Sequence, residues 1–167
     1  MKWVSYYRLV IYASDNNVID IPMVVEKTGL SSETIKKYLK KLVQEGLVER
    51  RGDSYVLTEI GVRFRDSLKA LMNRRDAPPY VITDPMTGSP IYLSFKNYEQ
   101  LLAIIKTGLV DETIVEKHLE KYMARWIRDA LGDSYAEFLI TQGKIKTAKD
   151  LERYLETMIF LVRELST

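Results

Sequence analysis

Between Lys36 and Arg51 the chain places six basic residues, Lys36, Lys37, Lys40, Lys41, Arg50 and Arg51, against two acids, Glu45 and Glu49. Lysine ammonium groups are point charges suited to phosphate oxygens, and arginine forks suit phosphates and narrow minor grooves. The whole chain carries a net charge of only +2. Residues 1–76 hold 14 Lys/Arg and 10 Asp/Glu, a net of +4, and residues 77–167 carry −2. A local basic patch on a nearly neutral chain points to one polyanion-facing surface. The plainer reading is a solvated helix face, and charge alone does not separate the two.

Other chemistries find little material. The 167 residues include no Cys and a single His, His118. That removes disulfides and thiolate metal sites, and it argues against a multi-histidine zinc site or a histidine-based triad. Asp84, Asp111 and Glu112 form no paired or metal-binding signature. Asp84, Thr87 and Ser89 lie in a run of turn formers, where turn chemistry is their expected role. His118 sits on or beside an apolar helix stripe, where a packed, hydrogen-bonded histidine is expected. No catalytic residue, metal or cofactor is therefore expected, and the chain reads as a binding protein, not an enzyme. No run approaches the roughly 18 apolar residues of a membrane span. The first residues do not read as a signal peptide, so a cytoplasmic protein is expected.

The elements that must position the basic residues follow from apolar spacing and cap residues. Trp3 to Ser14 carries Val4, Tyr7, Val10 and Ile11 at helical period. Val18-Ile19-Asp20 suits a short strand. Pro22 suits the first turn of a helix that Gly29 ends. Ser31 or Ser32 caps a third helix with Ile35, Leu39, Leu42 and Val43 on its core face. The opposite face then carries Glu33, Lys36, Lys37, Lys40 and Gln44, and Gly46 closes the helix. Leu47–Arg50 and Ser54–Leu57 read as strands joined by Arg51-Gly52-Asp53. Thr58 caps a helix running towards Arg75. Asp76-Ala77-Pro78-Pro79 cannot continue a helix, and this gives domains over residues 1–76 and 77–167.

The first of these domains resembles the winged helix-turn-helix family, as in MarR-, ArsR- and PadR-type regulators. The resemblance lies in Val24–Ser31, Thr34–Leu42 and Glu45–Arg50, and it spans about residues 3–75. It implies double-stranded DNA as partner, with residues 32–45 in the major groove and the wing, residues 47–57, on the adjacent backbone or minor groove. Lys36, Lys37, Lys40 and Lys41 then serve mainly phosphate affinity. Ser32, Glu33, Thr34 and Lys36 bear on sequence choice, with Glu33 better suited to the helix N-terminus than to a cytosine amine. Arg50 and Arg51 sit beside the wing turn. The function implied is transcriptional regulation. The alternative is a non-enzymatic module that docks a protein in transcription or replication machinery.

The second domain is expected to hold a β-hairpin, Tyr80–Thr83 with Ile91–Phe95, then helices. One covers Asn97–Lys106. A second, capped by Asp111, carries Val115, Leu119, Tyr122, Trp126 and Ala130. Ser134 and Glu137 have capping-box spacing for a third that ends near Gly143. Thr147 and Asp150 open a last helix to about Leu165. Its residues Leu151, Leu155, Met158, Val162 and Leu165, with Met158–Val162 apolar around most of the circumference, suit a core helix or a subunit interface. The lean is to a homodimer, because helix-turn-helix proteins commonly read two half-sites. Any small-molecule effector is left open. The fold class expected is mainly α with small β-hairpins (α+β).

Overall fold

The computed structural model describes residues 2–73 and 77–167, with side chains from Ser5 onward. Arg75, the expected end of the fourth helix, and Asp76, at the expected boundary, lie outside the described residues, as do the side chains of Trp3 and Val4. The architecture is α+β: among the described residues helices dominate, with two small antiparallel sheets. The chain divides into two compact units, residues 1–69 and residues 70–167.

The first unit opens with a 3-10 helix, Lys2–Tyr12, where the apolar period suggested an ordinary helix. At three residues per turn, positions i and i+3 eclipse, and Tyr6 and Leu9 accordingly share the buried side with Val10. Tyr7 and Ile11, expected in the core, are half-buried. Strand β1 (Val18–Ile19) follows, then α1 (Ile21–Thr28), capped by the Asp20 carboxylate and ended by Gly29 at φ +72°. Helix α2 is Ser32–Gln44. Strands β2 (Val48–Arg51) and β3 (Ser54–Leu57) form the hairpin, and β1 adds to β3 to give the order β1-β3-β2. Arg51 pairs with Ser54, so it belongs to the strand and the turn shrinks to Gly52-Asp53. Helix α3 (Glu59–Met72) is capped by Thr58, whose hydroxyl accepts from the Gly61 amide at 3.0 Å and donates to the Gly46 carbonyl at 2.6 Å. A Cβ on Gly61 would stand 1.9 Å from the Leu47 carbonyl oxygen, so only glycine lets α3 approach the start of the wing.

The second unit contains a hairpin of β4 (Tyr80–Thr83) and β5 (Pro90–Phe95), then α4 (Tyr98–Thr107). A single long helix was expected after Asp111. It forms as α5 (Glu112–His118), a π turn at Leu119–Met123, and α6 (Ala124–Leu131). The buried stripe is Val115, Leu119, Met123, Ile127 and Leu131. Steps of four drift around an ordinary helix, which repeats every 3.6 residues, and the wider π turn absorbs that drift. Tyr122, expected on the stripe, is consequently 61% exposed. Trp126 and Ala130 are half-buried, and Trp126 packs edge-on against Tyr80 and Phe95.

Helix α7 (Ser134–Thr141) is capped by Asp133, whose carboxylate accepts from the Ala136 amide at 2.9 Å, and not by the Ser134/Glu137 box. Asp133 is fully buried and also accepts from the hydroxyls of Tyr98 and Tyr154. A carboxylate already held by two tyrosines is the better-placed cap. Helix α8 (Ala148–Ser166) starts with the capping box of Thr147 and Asp150. Leu151, Leu155, Met158, Ile159 and Leu161 are buried, while Val162 and Leu165 are half-buried. The apolar circumference of α8 is thus largely consumed as core of this unit, against α4 and α5.

Candidate nucleic-acid interface

The turn before α2 is built from local hydrogen bonds. Gly29 takes the left-handed conformation that a side chain resists, and its amide donates to the Val25 carbonyl at 2.9 Å. The Thr28 hydroxyl donates to Val24 O at 2.6 Å and accepts from the Leu30 amide at 3.2 Å. Ser31, not Ser32, is the cap. It accepts from the Thr34 amide at 3.2 Å and bonds the Thr34 hydroxyl at 2.9 Å. Ser32 is left in the first helical turn with an exposed side chain, beside exposed Glu33 and half-buried Thr34. Glu33 is the one acid in that turn, where it meets the positive end of the helix dipole.

Ile35, Leu39 and Leu42 have no solvent exposure and fix the rotation of α2. At about 100° per residue, Glu33, Lys36, Lys37, Lys40 and Gln44 occupy the opposite arc, and all are exposed. Val43, expected in the core, is instead 37% exposed. It lies at the edge of the buried arc next to Leu39, and three residues already fill that arc. Among the described residues, Lys36, Lys37 and Lys40 take part in no ion pair, so the exposed arc carries three unpaired ammonium groups against the single carboxylate of Glu33.

Lys41 differs from these three. Its ammonium lies 5.3 Å from the centre of the Tyr6 ring, a cation–π contact on the flank of the helix. Beside it, the Tyr6 hydroxyl donates to the carboxylate of Glu45, the residue that caps the C-terminus of α2. Burial first, and the neighbouring Glu45 carboxylate second, push the Tyr6 hydroxyl up to about 12. The same two causes raise Tyr7 above its ordinary value. Tyr38 completes the cluster, 6.2 Å from Tyr6 between ring centres. Tyr6 and Glu45 are 39 positions apart, and no spacing in the sequence signals their contact.

In the wing, Arg50 and Tyr55 form a cross-strand pair, with the guanidinium 5.9 Å from the ring centre and Nε donating to the Gly52 carbonyl at 3.0 Å. Arg51 pairs with Glu49 on its own strand, Nη2 to Oε1 2.5 Å, and both side chains face solvent. Both arginines are exposed, and both have a partner inside the wing. The nine residues singled out in the sequence thus fall on one helix and one hairpin of the first unit, and α2 packs against β2.

The remaining candidate residues serve structure. His118 is buried, with Nε2–H donating to the Thr83 carbonyl at 2.8 Å and Nδ1 accepting from the Tyr80 hydroxyl at 2.5 Å. That carbonyl can only accept, which fixes the tautomer. Asp84 accepts from the Met86 amide at 2.8 Å, and Thr87 accepts from the Ser89 amide at 3.2 Å, both within the hairpin turn. Asp111 accepts from the Thr113 hydroxyl and amide, bonds that hold its carboxyl below the usual range. Among the described residues, no group of three or more His, Asp or Glu is placed to hold a metal ion. None of the described helices is long and apolar enough to cross a membrane.

Residues 16–76 match the winged helix-turn-helix family. The element order, the capped turn into α2 and the short wing agree with that match, which supports a winged helix-turn-helix over residues 16–76. Such a domain supports a DNA-binding role in general. No curated protein and no solved structure matches the chain.

Proposed function

We propose that the chain is a sequence-specific DNA-binding transcriptional regulator of the kind that MarR-, ArsR- and PadR-type proteins exemplify. Helix α2 enters the major groove, and the wing rests on the adjacent backbone or minor groove. The observation that carries this reading is the face of Lys36, Lys37 and Lys40, exposed and without ion-pair partners among the described residues. Ammonium groups held in no ion pair on a groove-sized helix gain most from phosphate, through release of condensed counterions. Lys41 contributes from the flank, where its ammonium already lies over the Tyr6 ring. Ser32, Glu33, Thr34 and Lys36 lie where base edges are met, and Arg50 and Arg51 reach phosphate only by exchanging their partners within the wing. The reading is that of a cytoplasmic binding protein, not an enzyme: His118, Asp84 and Asp111 are all engaged in packing, turns or caps. A homodimer on two half-sites fits helix-turn-helix geometry, but α8 lends it little, since its apolar residues are mostly buried in their own unit.

A second reading has an observation in its favour. With both wing arginines internally paired and Val43 exposed at the edge of the lysine face, α2 could also dock a protein. Selection from a random duplex library, followed by footprinting, separates the two. A regulator enriches one site and protects it; a docking module enriches none and co-purifies with a protein.

A further inference from the structure

The second unit contains an open cleft of about 430 Å³ between the α5–π turn segment and the loop from α7 to α8. That volume lies within the range of small-molecule sites. Its floor is apolar: Leu119 is 2% exposed, Ile145 is 4% exposed, and Ile140 is half-buried beside them. One wall carries two carboxylates, Glu116 half-buried and Glu120 exposed. These are four residues apart, so one turn of helix puts both on the same side, where like charges repel. Neither makes an ion pair among the described residues. Two cations, Lys117 and Lys146, also line the cleft; both are exposed, whereas Glu116 is half-buried, and the stem of Lys146 lies over Gly143. The π turn begins at Leu119, and such turns recur at functional sites because they distort an otherwise regular helix.

The geometry points to a binding site for an amphipathic organic cation, whose apolar body covers Leu119, Ile140 and Ile145 and whose ammonium group meets Glu116 and Glu120. An ammonium there relieves the carboxylate repulsion and forms charge-assisted hydrogen bonds. An organic anion of the same shape would face the half-buried Glu116 carboxylate and gain only lysines that are already solvated. The site lies wholly within residues 116–146, so it stands or falls independently of the nucleic-acid reading.

Three probes with one apolar body test it: phenylbutylamine, phenylbutanol and phenylbutyrate, titrated into the isotope-labelled full chain and followed by amide shifts. Phenylbutylamine shifts amides around Leu119 and Ile145 saturably, and phenylbutyrate binds at least about tenfold more weakly. Glu116→Gln weakens the amine by about tenfold and leaves phenylbutanol unchanged. Glu120→Gln gives a smaller loss in the same direction, and it serves as the test should the first variant not fold. No saturable amine binding, equal or tighter binding of phenylbutyrate, or amine binding indifferent to the variants overturns the proposal.

Discussion

At the scale of single residues, the lysines of α2 are separable by their surroundings. Lys36, Lys37 and Lys40 lack ion-pair partners among the described residues, whereas Lys41 sits against Tyr6. Each of Lys36→Ala, Lys37→Ala and Lys40→Ala should lower the slope of log affinity against log salt by about one, uniformly across duplex sequences. Lys41→Ala should lower it less. Salt titrations of each variant on one duplex give these slopes. Gly61 offers a prediction on stability. Glycine to alanine inside a helix ordinarily stabilises by up to about 1 kcal/mol. Here the new methyl would meet the Leu47 carbonyl oxygen at 1.9 Å, so Gly61→Ala should destabilise by about 1–3 kcal/mol, read from denaturant midpoints. The lysine pattern was open to sequence reasoning because the buried triad Ile35, Leu39 and Leu42 fixes which side faces out. The different standing of Lys41 was not, because it depends on a tyrosine from a distant segment.

At the scale of elements, most caps were legible and the exceptions have local causes. Thr147 and Asp150 form the box their spacing implies. Ser134 and Glu137 have the same spacing, yet Asp133 caps α7 because Tyr98 and Tyr154 already hold its carboxylate. Asp133→Ala should therefore cost on the order of 3 kcal/mol, leaving two hydroxyls and an amide unsatisfied. Ser134→Ala should cost under about 0.5 kcal/mol, since the half-buried serine makes no part of the cap bond. Thermal unfolding of the two variants ranks them. The π turn was invisible in the sequence, since an apolar period near four reads equally as an imperfect helix stripe. In the β4–β5 hairpin, Tyr92 adopts φ +62° while 96% exposed. A left-handed conformation is strained for a bulky residue. Tyr92→Gly should relieve it, raising stability by up to about 1 kcal/mol.

At the scale of the whole molecule, stability should fall at alkaline pH in a way that can be assigned. Burial raises the hydroxyls of Tyr6 and Tyr80 from 10.0 to about 12, aided by Glu45 at Tyr6 and by Tyr122 at Tyr80. A raised tyrosine favours the neutral, folded form. Its contribution is full below about pH 10 and is lost as pH rises through about 12. Denaturant midpoints across that window should decline, and Tyr6→Phe with Tyr80→Phe should make the decline shallower, with the half-buried and likewise raised Tyr7 and Tyr154 supplying the remainder. The winged helix-turn-helix was readable because turn, core and wing signals occur in order within one stretch. The second unit was readable only as elements, since its packing rests on contacts such as Asp133 with Tyr98 and Tyr154 that no local pattern announces.

The proposed function rests on the lysine face of α2 meeting the phosphates of duplex DNA. Fluorescence anisotropy of a labelled duplex across a salt series, with the wild-type chain and the triple variant of Lys36, Lys37 and Lys40 to Ala, tests it most directly. Affinity should fall steeply with salt, with a log–log slope reduced by about three in the triple variant. Duplex affinity that ignores salt, or a folded triple variant that binds as the wild type does, would contradict it.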